Sequence, residues 1–218
     1  MIDKQFIKQF IQNQELTSKI DMTLGISEQR GRNVLATNDW YKDLYISPDV
    51  DIVNSHPQVT QQVREELVDF LKLLEGHGVK KMLQIGLGHW ASTHFILSLL
   101  LEHITTIEYD LDFIKRYEAE ADSNFETLLH GDSTVLHSTL TEQYDAVLID
   151  GNHSYEYVKK DLKNYYPKVK VGGIVALHDA NFEGERYGTP RVLRESDYEW
   201  SFISHSEEVG IAYLIKED

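Results

Sequence analysis

From Lys80 onward, short apolar runs alternate with stretches of helical period, and this alternation is the strongest pattern in the chain. Lys80–Ile85, Ile104–Glu108, Glu126–His130, Tyr144–Asp150 and Gly173–His178 read as strands. Ala91–Glu102, Asp112–Asp122, Thr134–Leu140, Tyr155–Lys168 and Thr189–Glu195 read as the helices between and after them. Strands joined by helix-length connections pair in parallel, so this region predicts an α/β fold with helices on both faces of a doubly wound sheet. The end of the chain differs. Trp200–His205 and Val209–Ile215 are strand-like runs separated only by Ser206-Glu207-Glu208, which suits a hairpin and puts an antiparallel strand at the end of the sheet.

Upstream the pattern is helical. Lys4–Leu16 spaces Phe6, Ile7, Phe10 and Ile11 along one helix, and Thr60–Leu74 spaces Val63, Leu67, Phe70, Leu71 and Leu74 along another. The character changes at Gly76-His77-Gly78, which predicts an N-terminal helical extension or lid over 1–78 and an α/β domain over 79–218. Asp39–Pro57, with three aromatics and two prolines and no period, reads as a loop or lid.

Composition narrows the chemistry. At 218 residues and 41% hydrophobic, the chain can bury a core without staples. It has no cysteine, which removes disulfides, thiolate metal sites and cysteine nucleophiles and leaves a metal only Asp, Glu, His or Asn. No run approaches a membrane span, and the N-terminus lacks the features of a secretory signal, so a cytoplasmic protein without membrane contact is expected. Asp and Glu outnumber Lys and Arg 36 to 21, and a net charge of -15 repels a nucleic-acid backbone.

Candidate chemistry gathers at the carboxyl ends of the predicted strands, where parallel sheets bind ligands. Gly86 and Gly88, between the first strand and its helix, let the backbone turn sharply beside the helix N-terminus. Glu108 ends the second strand, where a carboxylate accepts the hydroxyl protons of a ribose. This turn alone also fits a dinucleotide site or a ligand-free connection. Asp132 and Ser133 follow the third strand, as contacts to an adenine amino group or as a helix cap. Asp150 ends an apolar strand, and His153 follows it, suited to take a proton from a hydroxyl. With His178 and Asp179 at the end of the next strand, Asp150 composes a candidate magnesium or manganese site; otherwise the two carboxylates contact cofactor or cap helices.

The run Ile149-Asp150-Gly151-Asn152-His153-Ser154-Tyr155-Glu156, then Asp161-Leu162, Pro167 and Val171–Asp179, resembles the class I S-adenosylmethionine-dependent methyltransferase superfamily, closest to its sugar and macrolide O-methyltransferase branch. The resemblance covers roughly 80–218. It implies a Rossmann-like seven-stranded sheet with an antiparallel last strand, S-adenosylmethionine above Gly86 and Gly88, the ribose on Glu108 and the adenine near Asp132 and Ser133. It also implies a metal at positions like Asp150 and Asp179, a base at His153, and a small-molecule or sugar-containing acceptor methylated on a hydroxyl. Homodimers through N-terminal helices occur in proteins of this kind. Three positions depart from the pattern: Gln84 where an acidic residue usually opens the glycine motif, Trp90 where a third glycine is common, and His178 where metal-dependent relatives often have an acid. Gln84 and Trp90 favour a second reading, a non-catalytic Rossmann-like protein that binds a nucleoside metabolite or a partner; Glu108, Asp150 and His153 oppose it.

Overall fold

A computed structural model describes residues 4–37, 63–89, 91–182, 184, 186–205 and 209–218. The loop or lid expected at Asp39–Pro57, and Trp90, lie outside the described residues. Among the described residues three helices come first: α1 (Lys4–Gln12), α2 (Leu16–Thr37) and α3 (Arg64–Gly76). The sheet region then runs β1 (Lys81–Ile85), α4 (Ser92–Leu100), β2 (His103–Glu108), α5 (Leu111–Glu118), β3 (Glu126–His130), α6 (Ser133–Leu136) and β4 (Tyr144–Ile149). It closes with α7 (Tyr155–Tyr165), a 3-10 turn (Tyr166–Lys168), β5 (Val169–His178), α8 (Thr189–Glu195), β6 (Ser201–Ile203) and β7 (Ile211–Ile215).

The seven strands lie in the order β3-β2-β1-β4-β5-β7-β6. β1 to β5 are parallel, and β7 runs antiparallel to both β5 and β6, as the short gap before Val209 predicts. The chain order reverses between β1 and β4, so the crevice at their carboxyl ends is the topological switch point of the sheet. The central strands are largely apolar because both faces are covered. Along β1 and β4, Met82, Ala146 and Leu148 face one core, while Leu83, Ile85, Val147 and Ile149 face the other, the two-residue period of a pleated strand. Ile11, Ile20, Leu24, Leu67 and Phe70 of the first three helices belong to the first of these cores, against α4 and the sheet.

Three elements differ from the sequence expectation. The first helix stops at Gln12, and a second, α2, follows it unannounced. The buried side of α2 includes Ile20, Thr23, Leu24, Ser27 and Arg30, a helical spacing in which polar residues interrupt the apolar stripe. β5 begins at Val169, ahead of Gly172-Gly173, because the glycines sit in a register shift opposite Tyr144–Ala146 instead of a turn. In β6 only Ser201–Ile203 is strand, and Glu66 of α3 accepts the N–H groups of His205 (2.8 Å) and Gly210 (3.0 Å) that flank the hairpin. No helix among the described residues is long and apolar enough to cross a membrane.

Candidate functional site

At the carboxyl ends of β1 and β4 opens a cavity of about 770 Å³, lined by Gly86, Gly88, Glu108, Asp132, Ser133, Asp150, His153, His178 and Asp179, the candidate site residues of the sequence. Gly86 makes the crevice possible. It has φ +93°, and its N–H donates to the Ile107 carbonyl of β2 at 2.8 Å while the Asp150 N–H donates to Ile85 at 2.9 Å. A β-carbon at Gly86 would stand 2.1 Å from the Asp150 carbonyl oxygen. Gly86→Ala is therefore expected to cost about 2–3 kcal/mol in urea denaturation, from backbone strain and overpacking together. A variant as stable as the parent would show that the two strand ends separate easily.

Glu108, buried at the end of β2, holds the same turn from the other side. Its Oε2 accepts the N–H groups of Leu87 (2.7 Å) and Gly88 (3.2 Å), and its Oε1 accepts that of Asp110 (2.7 Å). Beneath them Gln84, 1% exposed, donates through Nε2 to the Gly86 carbonyl at 2.7 Å, and its Oε1 has no hydrogen-bond partner among the described residues. An unpaired buried acceptor in a cavity wall is costly unless something in the cavity donates to it. Asp132 caps α6 by accepting from Thr134 N and Oγ1 at 2.8 and 2.7 Å, and these hydrogen bonds hold its carboxyl below the usual range. The capping residue also lines the cavity.

At the far end of the crevice four side chains meet. His153 Nδ1 lies 2.7 Å from Asp179 Oδ2, and His178 Nδ1 lies 3.2 Å from Asp150 Oδ1 and 3.3 Å from Asp179 Oδ1. The hydrogen bond to Asp179 raises the His153 imidazole above its ordinary pKa against the opposing effect of burial. Burial by itself would raise Asp179, but His153 and His178 outweigh it and hold the carboxyl well below the usual range. Burial likewise opposes protonation of His178, and the charges of Asp150 and Asp179 reverse the balance and raise it. His178 is almost fully enclosed, yet its ring is out of line for a hydrogen bond through either nitrogen. Asp179 has φ +57°, a left-handed conformation that a non-glycine residue holds at a cost of about 1–3 kcal/mol. It thereby turns its carboxylate back over the strand end, between the two histidines.

The trio whose ligand atoms lie within 4.8 Å of one another is Asp150, His153 and Asp179. The sequence reading pairs the two carboxylates with His178, which is the deeper imidazole; the structure brings His153 to the same point. Sequence reasoning did not pick out the aromatic wall of the cavity: Tyr109 and Phe113 after β2, Tyr157 in the first turn of α7, and Phe182 and Tyr187 beside His153. The His153 and Tyr187 ring centres are 5.3 Å apart, and those of Tyr187 and Phe182 3.9 Å. The available signal was position, because each lies in a segment that follows the carboxyl end of a strand.

Residues 83–180 match the model of a family described as a methyltransferase domain. No curated protein matches the chain. Among solved structures, a protein of Staphylococcus aureus designated a caffeoyl-CoA O-methyltransferase is 18% identical with a TM-score of 0.57, over 80% of this chain and 97% of that one. A Podospora anserina methyltransferase solved with S-adenosylhomocysteine is 14% identical with a TM-score of 0.57, over 90% and 88%. The O-methyltransferase TomG of Streptomyces achromogenes, involved in tomaymycin synthesis and solved with S-adenosylmethionine, is 19% identical with a TM-score of 0.54, over 89% of each chain. At these identities the likeness is one of fold. With the strand order and the antiparallel β7, the chain has the Rossmann-like fold of these methyltransferases, and its central part, residues 83–180, matches a methyltransferase domain.

Proposed function

We propose that this enzyme transfers a methyl group from S-adenosylmethionine to a hydroxyl of a small-molecule or sugar-containing acceptor, with His153 as the base. The observation that carries the reading is the single cavity that joins the glycine turn and Glu108 at one end to the Asp179–His153 pair at the other. Gly86, Gly88, Glu108, Asp132, Ser133 and Asp150 would hold the cofactor, and the unpartnered Gln84 Oε1 in the wall fits a ligand that brings a donor. When bound, the cofactor supplies an electrophilic methyl group. The chain's own work is to hold the acceptor and remove its proton. His153 Nδ1 donates to Asp179, which fixes the tautomer and leaves Nε2 to accept the hydroxyl proton. Tyr187 packs beside the imidazole and Phe182 packs on Tyr187, an aromatic pair that would limit water at the acceptor end.

A divalent cation suits the same end. Asp150, His153 and Asp179 offer a mixed oxygen and nitrogen set, and the buried His178 beside them has an imidazole without a hydrogen bond. Bound there, magnesium or manganese would lower the pKa of an acceptor hydroxyl. The acceptor is read as a small molecule, not a nucleic acid, because the chain carries a net charge of -15. We place the protein in the cytoplasm, with residues 1–78 as a helical extension of the catalytic domain and homodimerisation through it.

Calorimetry with S-adenosylmethionine, followed by transfer of a labelled methyl group to a panel of hydroxyl compounds, tests the reading. Micromolar binding and label in an alkali-stable ether are expected. No heat and no thermal shift at millimolar cofactor would sink it, and binding without transfer to any acceptor would favour the non-catalytic alternative.

A further inference from the structure

Helix α7 carries Tyr157, Asp161 and Tyr165 at four-residue intervals, so the three share one face, and that face meets the turn after β3. The Tyr157 hydroxyl donates to Asp132 Oδ2 at 3.4 Å, a long contact. Ser133 is held more firmly: its Oγ donates to Asp161 Oδ1 at 2.8 Å, and the Tyr165 hydroxyl donates to its carbonyl at 2.5 Å. Ser133 lines the cavity, whereas Asp161 and Tyr165 stand behind it in the protein interior.

Asp161 is an expensive residue to keep there. It is 0% exposed, and Oδ2 has no hydrogen-bond partner among the described residues. Burial pushes its carboxyl up to about 6; the hydrogen bond from Ser133 opposes the shift and the charge of Asp132 adds to it. A half-satisfied carboxyl is a poor way to fill a core, and an aliphatic side chain would pack there at less cost. Among the described residues the one side-chain hydrogen bond of Asp161 is that from Ser133, which faces the cavity. At its other end α7 begins two residues beyond His153, and Gly188 lies so close over Tyr155 that a β-carbon would stand 2.1 Å from the Tyr155 α-carbon. The helix thus acts as a spacer between the His153 loop and the Asp132–Ser133 turn.

From this arrangement we infer that Asp161 is a positioning residue of the cofactor site: it holds Ser133 from behind, together with Tyr165, and so fixes the Asp132–Ser133 turn against the nucleoside end of S-adenosylmethionine. The inference rests on the placement of the cofactor proposed above. Asp161 touches neither cofactor nor acceptor and acts only through Ser133.

The test is a double-mutant cycle read by calorimetric titration of S-adenosylhomocysteine into the full chain. Asp161→Ala and Ser133→Ala should each weaken binding about tenfold, and the double variant no further than the weaker single one. Asp161→Asn keeps an oxygen that accepts from Ser133 and should bind within about threefold of the parent. In turnover, the loss should appear in the KM for the cofactor while kcat at saturation holds, a split that general loosening of the fold would not produce. A folded Asp161→Ala that binds as the parent does, or effects that multiply in the double variant, would overturn the inference. If Asp161→Ala does not fold, Asp161→Val, which fills the space without an oxygen that accepts from Ser133, replaces it in the same cycle with the same two outcomes. A parent protein that does not bind S-adenosylhomocysteine overturns the cofactor placement itself, and the inference with it. Binding by the parent with no response from these variants overturns the inference alone.

Discussion

Replacing His153 by glutamine is expected to lower kcat by about 10²–10⁴ while the KM values for cofactor and acceptor stay within a few fold. Glutamine can still donate to Asp179, so the carboxylate is not stranded, but it has no nitrogen that takes up a proton. The His153 side chain is 43% exposed, so the substitution should leave folding intact, and a thermal melt is the control. The pH profile gives the sign. A base works in its neutral form, and the bond to Asp179 raises the His153 pKa above 6.5, so parent activity should climb with pH through a value above 6.5 and the variant should lose that limb. Metal removal separates the two ways of activating the hydroxyl. If His153 alone takes the proton, EDTA leaves the rate unchanged and His153→Gln gives the full loss in EDTA as in manganese. If a cation at Asp150 and Asp179 carries the activation, EDTA lowers the rate and manganese restores it. A variant within tenfold of the parent, in EDTA as in manganese, would remove His153 from the base role.

The parts of this site that could be read from sequence are those set by backbone topology. An apolar run that ends in a carboxylate, as at Ile107-Glu108 and Ile149-Asp150, places that carboxylate at the sheet edge whatever the helices do. Hence the whole candidate set falls in one cavity, although the roles of its members are not settled by their place there. What resisted reading depends on side chains that meet across long sequence gaps. Nothing near Asp179 announces a left-handed conformation, and it is this turn of the chain that brings the carboxylate between His153 and His178. The aromatic wall was hidden for the same reason, since Tyr109 and Phe182 are remote in sequence and share a cavity only through the fold. Helix α2 escaped because its buried face includes Thr23, Ser27 and Arg30, residues that a hydrophobic period counts as solvent-facing. Arg30 is satisfied by Glu120, which lies 2.6 Å from its Nε, a partner ninety residues away.

That inward turn of polar groups reaches its extreme in α1, and Glu126→Gln should expose its energetic weight. The helix buries Lys4 and Lys8 and leaves Phe6 and Phe10 exposed, the reverse of ordinary amphipathic order. Lys4 Nζ donates to Glu126 Oε1 at 2.7 Å and to the Tyr117 hydroxyl at 2.6 Å. Glu126 also accepts from the Tyr117 hydroxyl (2.6 Å), from His94 Nε2 (2.9 Å) and from the Asp122 N–H (3.0 Å), with its side chain fully buried. Burial works to raise this carboxyl; the bond from His94 and the charge of Lys4 prevail and bring it down to about 2. Glutamine has almost the same shape, but it turns an acceptor into a donor among donors and leaves the Lys4 ammonium buried without a counter-charge. Breaking a buried pair from one side costs about 3–5 kcal/mol, and that loss in urea denaturation at pH 7 is the expected result. The pH dependence follows from the depressed pKa. Glu126 in the unfolded chain ionises near 4.5, so its contribution is fully present above that pH and disappears as the pH falls towards 2, a span of about 3 kcal/mol. The gap between parent and variant should close over this window. His94, kept neutral chiefly by burial, adds an acid loss that begins higher, below about 6.5, where the unfolded imidazole takes up a proton. Lys4→Met combined with Glu126→Gln removes the stranded ammonium and should recover part of the loss, because most of the single-variant cost is an uncompensated charge and not a missing attraction. If Glu126→Gln melts within 1 kcal/mol of the parent, water reaches Lys4, and α1 is not held by its charges. His94 lies in α4, whose first turn lines the cavity, so a loosened α1 should also weaken S-adenosylmethionine binding, with the stability loss appearing first.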